Sequence, residues 1–170
     1  GRSKYPAPPR ALKTPSPAGT RGLVTGLPPA AVCAACPPGR YCGSAGLREP
    51  SGECQAGHFC AGSARTPTPL SADEGGGECA AGAYCPRASA APVPCDGGMY
   101  CASPALGAPT GACEAGHFCA ANATAGAPPN ATANSGPCPA GHYCPVRSAS
   151  PAPCPAGSYM PVGGASACDA

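Results

Sequence analysis

The chain has 170 residues, a formal net charge of +2 and 15 cysteines, and its large core formers number 13: six Leu, five Val, two Phe and no Ile. That share lies far below the roughly 20% at which a packed core becomes doubtful, and burial alone cannot offset a backbone ordering cost of about 1–2 kcal/mol per residue. The near-neutral charge argues against a nucleic-acid partner, and no stretch approaches the ~20 apolar residues of a membrane span.

Cysteine density points instead to a disulfide scaffold, in which cross-links restrict the unfolded chain and an oxidising compartment is implied. Zinc is the other use of many cysteines, but only Cys33 and Cys36 make a C-x2-C pair, and zinc sites need partner pairs or histidines at set spacing. No charged-then-apolar leader opens the chain, which reads as a mature chain or a fragment.

Residues 1–32 carry Arg2, Lys4, Arg10, Lys13 and Arg21, seven prolines, no acid and no cysteine. This composition predicts a basic, Pro-rich extended arm that cannot fold alone. Leu23, Val24 and Thr25 are its strand-like piece, a candidate for self-association by adding a strand to a neighbouring subunit.

From Cys36 onward one motif, C-x-x-G-x-(Tyr or Phe)-C, recurs at Cys36, Cys54, Cys79, Cys95, Cys113 and Cys138, with a seventh copy at Cys154 in which Met160 replaces the second cysteine. The starts are separated by 18, 25, 16, 18, 25 and 16 residues, so the pattern itself repeats with a period of 59. Residues 36–94 and 95–153 set against each other agree at 29 of 59 positions. The chain therefore divides into an arm (1–32), two three-unit super-repeats (33–94 and 95–153) and a terminal half-unit (154–170).

The motif glycine is expected in a tight turn at positive φ, followed by a short extended stub. Each motif also owns one ring (Tyr41, Phe59, Tyr84, Tyr100, Phe118, Tyr143, Tyr159). The ring is read as the miniature core of its unit, packed on the disulfide and on a neighbouring Pro or Ala; a sugar-stacking row is the sharper alternative. The predicted fold class is small and disulfide-rich: an elongated tandem array of short β-hairpin and coil units, each touching only its neighbours, with little regular secondary structure.

All fifteen cysteines are candidate disulfide partners, and two connectivities fit the spacing. In one, each motif closes on itself (Cys36 with Cys42, Cys54 with Cys60, Cys79 with Cys85, Cys95 with Cys101, Cys113 with Cys119, Cys138 with Cys144), Cys154 joins Cys168, and Cys33 is left over. In the other, each motif's last cysteine joins the next motif's first, so that Cys42 joins Cys54, Cys33 closes on Cys36, and Cys168 is left over. The first has a slight advantage, because it explains why the loss at Met160 coincides with the extra Cys168. The odd cysteine is a candidate cross-link to another chain.

Two sequons, Asn122-Ala-Thr124 and Asn130-Ala-Thr132, fall in the long spacing of the second super-repeat, which makes Asn122 and Asn130 candidate N-glycosylation sites. Thr66, Thr68, Ser16 and Ser150 sit beside prolines and are candidates for O-linked sugars. Covalent glycans are expected, and no other cofactor.

A catalytic constellation needs a nucleophile with a base, paired carboxylates or a metal cluster in a cleft, and three histidines with eight scattered acids do not supply one. His58, His117 and His142 precede the ring in their motifs, where other copies have Arg40, Ala83, Met99 and Ser158; the position is expected to be variable and exposed, with no metal. Gly75-Gly76-Gly77 lacks a following Lys and reads as a plain loop. The chain is not expected to be an enzyme.

The tail Cys154-Pro-Ala-Gly-Ser-Tyr-Met-Pro-Val-Gly-Gly-Ala-Ser-Ala-Cys168 resembles one unit of the ephrin-receptor-like cysteine-rich repeats, with their C-P-x-G-(Thr or Ser)-Tyr opening and Gly-Ala-Ser-x-Cys close. Copies with Tyr-Cys-Pro, such as Cys138 to Pro145, are similar to the variant in long secreted proteins of algae and other protists, including flagellar-hair (mastigoneme) proteins. The resemblance spans residues 33–168. It implies an extracellular, cell-surface or flagellar-surface location, a mechanical role and a Cys154–Cys168 bridge.

The leading expectation is a structural subunit of a glycosylated extracellular filament, flagellar hair or wall layer, whose partners are other copies of itself and glycans. The alternative is a stalk or binding module of a cell-surface receptor. Lectin-like sugar binding through the rings comes third.

Overall fold

The computed structural model describes residues 15–22, 33–132 and 135–170. Leu23, Val24, Thr25 and most of the expected arm lie outside the described residues.

Among the described residues every regular element is short, and these form seven two-stranded sheets. The antiparallel pairs follow one another along the chain: β1 (Thr20–Gly22) with β2 (Cys33–Ala35), β3 (Arg40–Tyr41) with β4 (Gly52–Glu53), β5 (His58–Cys60) with β6 (Gly76–Glu78), β7 (Ala83–Tyr84) with β8 (Val93–Pro94), β9 (Met99–Tyr100) with β10 (Gly111–Ala112), β11 (His117–Cys119) with β12 (Ser135–Pro137), and β13 (His142–Tyr143) with β14 (Ala152–Pro153). The one helical piece among the described residues is a 3-10 turn, Ala72–Glu74. The chain is thus a disulfide-rich series of repeated hairpins with almost no helix.

The motif dictates each hairpin locally. Its second residue accepts a hydrogen bond from the N–H of its fifth at 3.0–3.2 Å, as from Arg40 to Pro37 and from Met99 to Asp96. The glycine between them has φ of +76° to +90° in all seven copies, the requirement at the third position of a type II turn. Directly after the turn the ring enters extended backbone and pairs with the residues just before the next motif.

Four of the six rings in sheets face a glycine across the pair: Tyr41 faces Gly52, Phe59 faces Gly77, Tyr100 faces Gly111 and Phe118 faces Gly136. A Cβ on Gly52 would stand 3.1 Å from the Tyr41 ring, and one on Gly77 3.1 Å from the Phe59 ring. The ring lies across the space a side chain would take and covers backbone that a bare glycine strand exposes. The Gly75-Gly76-Gly77 run is accordingly no plain loop. Gly75, at φ +86°, caps the 3-10 turn, while Gly76 and Gly77 are buried in β6 under Phe59 and Pro69.

Seven disulfides join Cys36–Cys42, Cys54–Cys60, Cys79–Cys85, Cys95–Cys101, Cys113–Cys119, Cys138–Cys144 and Cys154–Cys168, with Cα atoms 5.8–6.1 Å apart. Each complete motif closes on itself, and the connectivity from motif to motif is not the one adopted. The cysteines of the six complete motifs are all 0–1% exposed, so the interior is a row of disulfides in place of a conventional core. Tyr41 packs on Cys54, Cys60 and Ala64, and Tyr100 on Cys113, Cys119 and Ala123. These rings therefore serve the next unit's disulfide and the Ala after it, where the sequence suggested the ring's own bridge.

The same geometry reaches into the segment read as an arm. Ser16-Pro17-Ala18-Gly19-Thr20-Arg21-Gly22 makes the motif turn: Thr20 N–H donates to Pro17 at 3.1 Å, Gly19 has φ +84°, and β1 follows. Ser16 and Gly22 stand where later units have their two cysteines, and Arg21 stands where they have the ring. The Cys33 thiol donates to Ser16 Oγ at 2.6 Å.

Candidate functional site

A pair of two-residue strands is marginal on its own in water, so the surface that decides the behaviour of this chain is the junction between consecutive units. Four backbone hydrogen bonds recur at all seven junctions, from the Ser16 unit onward. The motif glycine donates its N–H to the carbonyl at the end of the next motif at 2.7–2.9 Å, from Gly19 to Cys42 through Gly141 to Met160. Its carbonyl accepts from the N–H that opens the next motif at 2.8–3.0 Å, from Cys36 to Gly19 through Cys154 to Gly141.

The other two bonds come from the loop after the next motif. It accepts from the last N–H of the motif before it at 2.8–2.9 Å, as Leu47 does from Gly22 and Ala165 from Cys144. It also donates back to that motif's first carbonyl, at 2.7–3.0 Å: Gly46 to Ser16, Ser63 to Cys36, Ala88 to Cys54, Ala105 to Cys79, Asn122 to Cys95, Arg147 to Cys113 and Gly164 to Cys138.

Those seven donors all have left-handed backbone, with φ from +57° at Ser63 and Ala105 to +83° at Gly164. Every non-glycine residue at positive φ among the described residues belongs to this set. The conformation costs an L-residue about 1–2 kcal/mol, and it persists because it aims the residue's N–H and C=O, which belong to successive peptide groups, at different neighbours. In all seven the N–H ties the preceding motif; in all but Gly46 the carbonyl lies over the glycine of the motif before that. A Cβ on Gly82 would stand 2.8 Å from the Asn122 carbonyl, and one on Gly39, Gly57, Gly98 or Gly116 would be closer still to Ala88, Ala105, Arg147 or Gly164. Units thus touch the two that follow them, a correction to the expected nearest-neighbour array. Sequence reasoning missed these tie residues because Gly, Ser, Ala, Asn and Arg all occupy the position; only their place three or four residues past the motif could have marked them.

Side chains add one junction of their own. Glu53 on β4 pairs with Arg40 across the hairpin at 3.6 Å and with Arg87, two motifs further along, at 3.0 Å. Tyr41, Ser51, Gln55 and Pro67 line a shallow groove beside Glu53 and Arg87. At the period of 59 the three charges become Met99, Ala112 and Val146, so the second super-repeat replaces a complete charged triad with an apolar one.

Asn122 and Asn130 are both exposed, as are Thr124 and Thr132. Asn122 contributes its backbone to a junction while its side chain is free to carry a glycan. Ser150 is exposed, and Thr66 and Thr68 are half-buried, with the Thr68 N–H donating to Thr66 Oγ1 at 3.3 Å. Ser16 is only 5% exposed, with its hydroxyl against the Cys33 thiol; the fold closes it to a bulky sugar.

The histidine position is less open than expected. His58, His117 and His142 are half-buried, and Nδ1 of both His58 and His117 is enclosed without a hydrogen-bond partner. Among the described residues no group of three or more His, Cys, Asp or Glu is placed to hold a metal ion.

No protein-family model matches the chain, and no curated protein is significantly similar to it. Among the described residues no helix is long and apolar enough to cross a membrane. Seven disulfides in a chain of this size fit the oxidising environment of extracellular proteins.

Proposed function

We propose that this chain is a non-enzymatic structural subunit of a glycosylated extracellular filament, flagellar hair or wall layer, built as an elongated tandem array of cysteine-rich units. One observation carries the reading: the same four backbone bonds recur at seven junctions while the side chains around them vary. What is kept across the units is spacing and connection, and what changes is chemistry. Junctions of backbone, disulfide and buried glycine resist bending, glycans on Asn122 and Asn130 keep the surface hydrated, and length follows copy number. The resemblance of residues 33–168 to the ephrin-receptor-like repeats of algal and protist surface proteins points the same way.

Electron microscopy of the native, unreduced material tests this. Ordered fibres with a regular axial repeat, containing the chain and losing mass on enzymatic removal of N-glycans, are the expected result. Dispersed monomers would instead favour a stalk that holds a receptor's binding domain away from its membrane.

A further inference from the structure

The first super-repeat carries a charged constellation that the second lacks. Glu53 on β4 is held on both carboxylate oxygens, by Arg40 Nη2 at 3.6 Å and by Arg87 Nε at 3.0 Å. Exposed pairs of this kind add little to stability, and the hairpin forms without them where Met99 and Ala112 pair in place of Arg40 and Glu53. What the triad does is fix a long side chain. Arg87 is 76% exposed and anchored through Nε, so the Nη groups of its fork have no partner among the described residues.

That fork stands at the side of an open groove of about 600 Å³, a volume in the range of small-ligand sites. Tyr41, Ser51, Gln55 and Pro67 line the rest. The backbone of the groove is already committed within the fold: Ser51 N–H donates to the Tyr41 carbonyl at 2.8 Å and Gln55 N–H to the Pro67 carbonyl at 2.9 Å. Its side chains are not. Ser51 Oγ accepts from Gly43 N–H at 3.0 Å and keeps its own proton to donate. Gln55 is exposed, and its amide has no partner among the described residues. Two arginines against one glutamate leave the triad a net charge of +1, and donors exceed acceptors because the one carboxylate is occupied on both oxygens.

We infer that this groove binds an acidic saccharide, a short run of sugar rings bearing carboxylates. The Arg87 fork takes a carboxylate through two parallel N–H···O bonds, which supply geometry as well as charge. Ser51 and Gln55 take ring hydroxyls. The Tyr41 ring, half-buried on the Cys54–Cys60 disulfide, gives an apolar floor for the C–H face of a sugar. Recognition by side chains alone favours a sugar over an extended peptide, which would bind by pairing with free strand backbone. The equivalent place in the second super-repeat is no second site: Val146 replaces Arg87, and Glu114, in place of Gln55, repels a carboxylate. This goes beyond the filament reading and does not depend on it.

Isothermal titration of the oxidised chain of residues 1–170 with tetragalacturonate at physiological ionic strength tests the inference. Binding should saturate at one site per chain. Maltotetraose, a neutral tetrasaccharide, and tetraglutamate, an acidic peptide, should each bind at least about tenfold more weakly, the loss of roughly one charge-assisted hydrogen bond. Arg87→Val should lose affinity by at least about the same factor, with mass mapping of its seven disulfides as the check on folding. Glu53→Ala raises the charge of the groove but releases Arg87, and should also bind more weakly; tighter binding would mean charge attraction without a built site and would overturn the inference. In NMR spectra the saccharide should shift the Tyr41 ring and leave Tyr100, its counterpart 59 residues on, unmoved. Absence of saturable binding, equal affinity for maltotetraose or tetraglutamate, or an Arg87→Val variant that binds like the unaltered chain would each overturn it as well.

Discussion

Two demands meet on the motif glycines, and they can be separated within one molecule. Gly116 and Gly141 have nearly the same φ, +80° and +76°, but a Cβ on Gly116 would run into the Gly164 carbonyl whereas one on Gly141 would meet nothing within 4 Å. Gly141→Ala should therefore lose only the left-handed strain, about 1–2 kcal/mol. Gly116→Ala adds a backbone collision and should lose at least about twice as much. Urea unfolding of both variants under non-reducing conditions measures the difference; equal losses would mean that close approach contributes nothing and that φ alone keeps the glycine. Asn122 shows the complementary case, a side-chain-bearing residue held at φ +65° because its N–H and its C=O are each committed to a different neighbouring unit.

At the scale of one element, the terminal unit shows that the turn does not depend on its staple. Met160 replaces the second cysteine, yet Gly141 still donates to its carbonyl at 2.8 Å and Ser158 still closes the turn on Pro155 at 3.0 Å. Backbone geometry thus precedes the disulfide, and Cys154 reaches forward to Cys168 instead. The double variant Met160→Cys with Cys168→Ser should bridge Cys154 to the thiol introduced at position 160, as in the other units, seen as a linked peptide after proteolysis. The chain-entropy account gives about 3 kcal/mol for a loop of about 15 residues, the size of the native one, and somewhat less for the shorter loop of a complete motif, so stability should fall by less than about 1 kcal/mol. The β6 strand teaches a related lesson: Gly76 and Gly77 have no strand propensity, but Phe59 supplies the cover that their own side chains lack.

Across the whole molecule, the internal duplication is a substitution experiment already performed. Arg40, Glu53 and Arg87 bridge motifs that are two apart, and their counterparts Met99, Ala112 and Val146 stand in the same fold without charge. These side chains are 36–76% exposed, where ion pairs contribute about 0–1 kcal/mol. The triple change Arg40→Met, Glu53→Ala, Arg87→Val should shift stability by no more than about 1 kcal/mol and reduce its dependence on salt, as followed by thermal unfolding at low and high ionic strength. A much larger loss would show that the triad, and not the backbone ladder, holds the first super-repeat together.

Much of this organisation was legible in the cysteine spacing and in two invariant residues per motif. The period of 59, the turn at each glycine, the hairpin after each turn and the scarcity of helix all follow from constraints acting within a few residues: a positive φ, a six-residue cysteine separation and a core too small to do without staples. The tertiary structure decided the rest. It chose between two connectivities that spacing left open, moved Tyr41 and Tyr100 onto the next unit's disulfide, and drew Ser16 to Gly22 into the repeat although that stretch has no cysteine and no ring. It also tied successive units through Gly46, Ser63, Ala88, Ala105, Asn122, Arg147 and Gly164, all but the first of which also reach the unit before that. The physical reason is that these junctions are made by N–H and C=O groups common to almost every residue. Side-chain identity records a turn that demands glycine or a bridge that demands cysteine; a backbone bond between units leaves no such mark, and only the folded chain reveals which peptides meet.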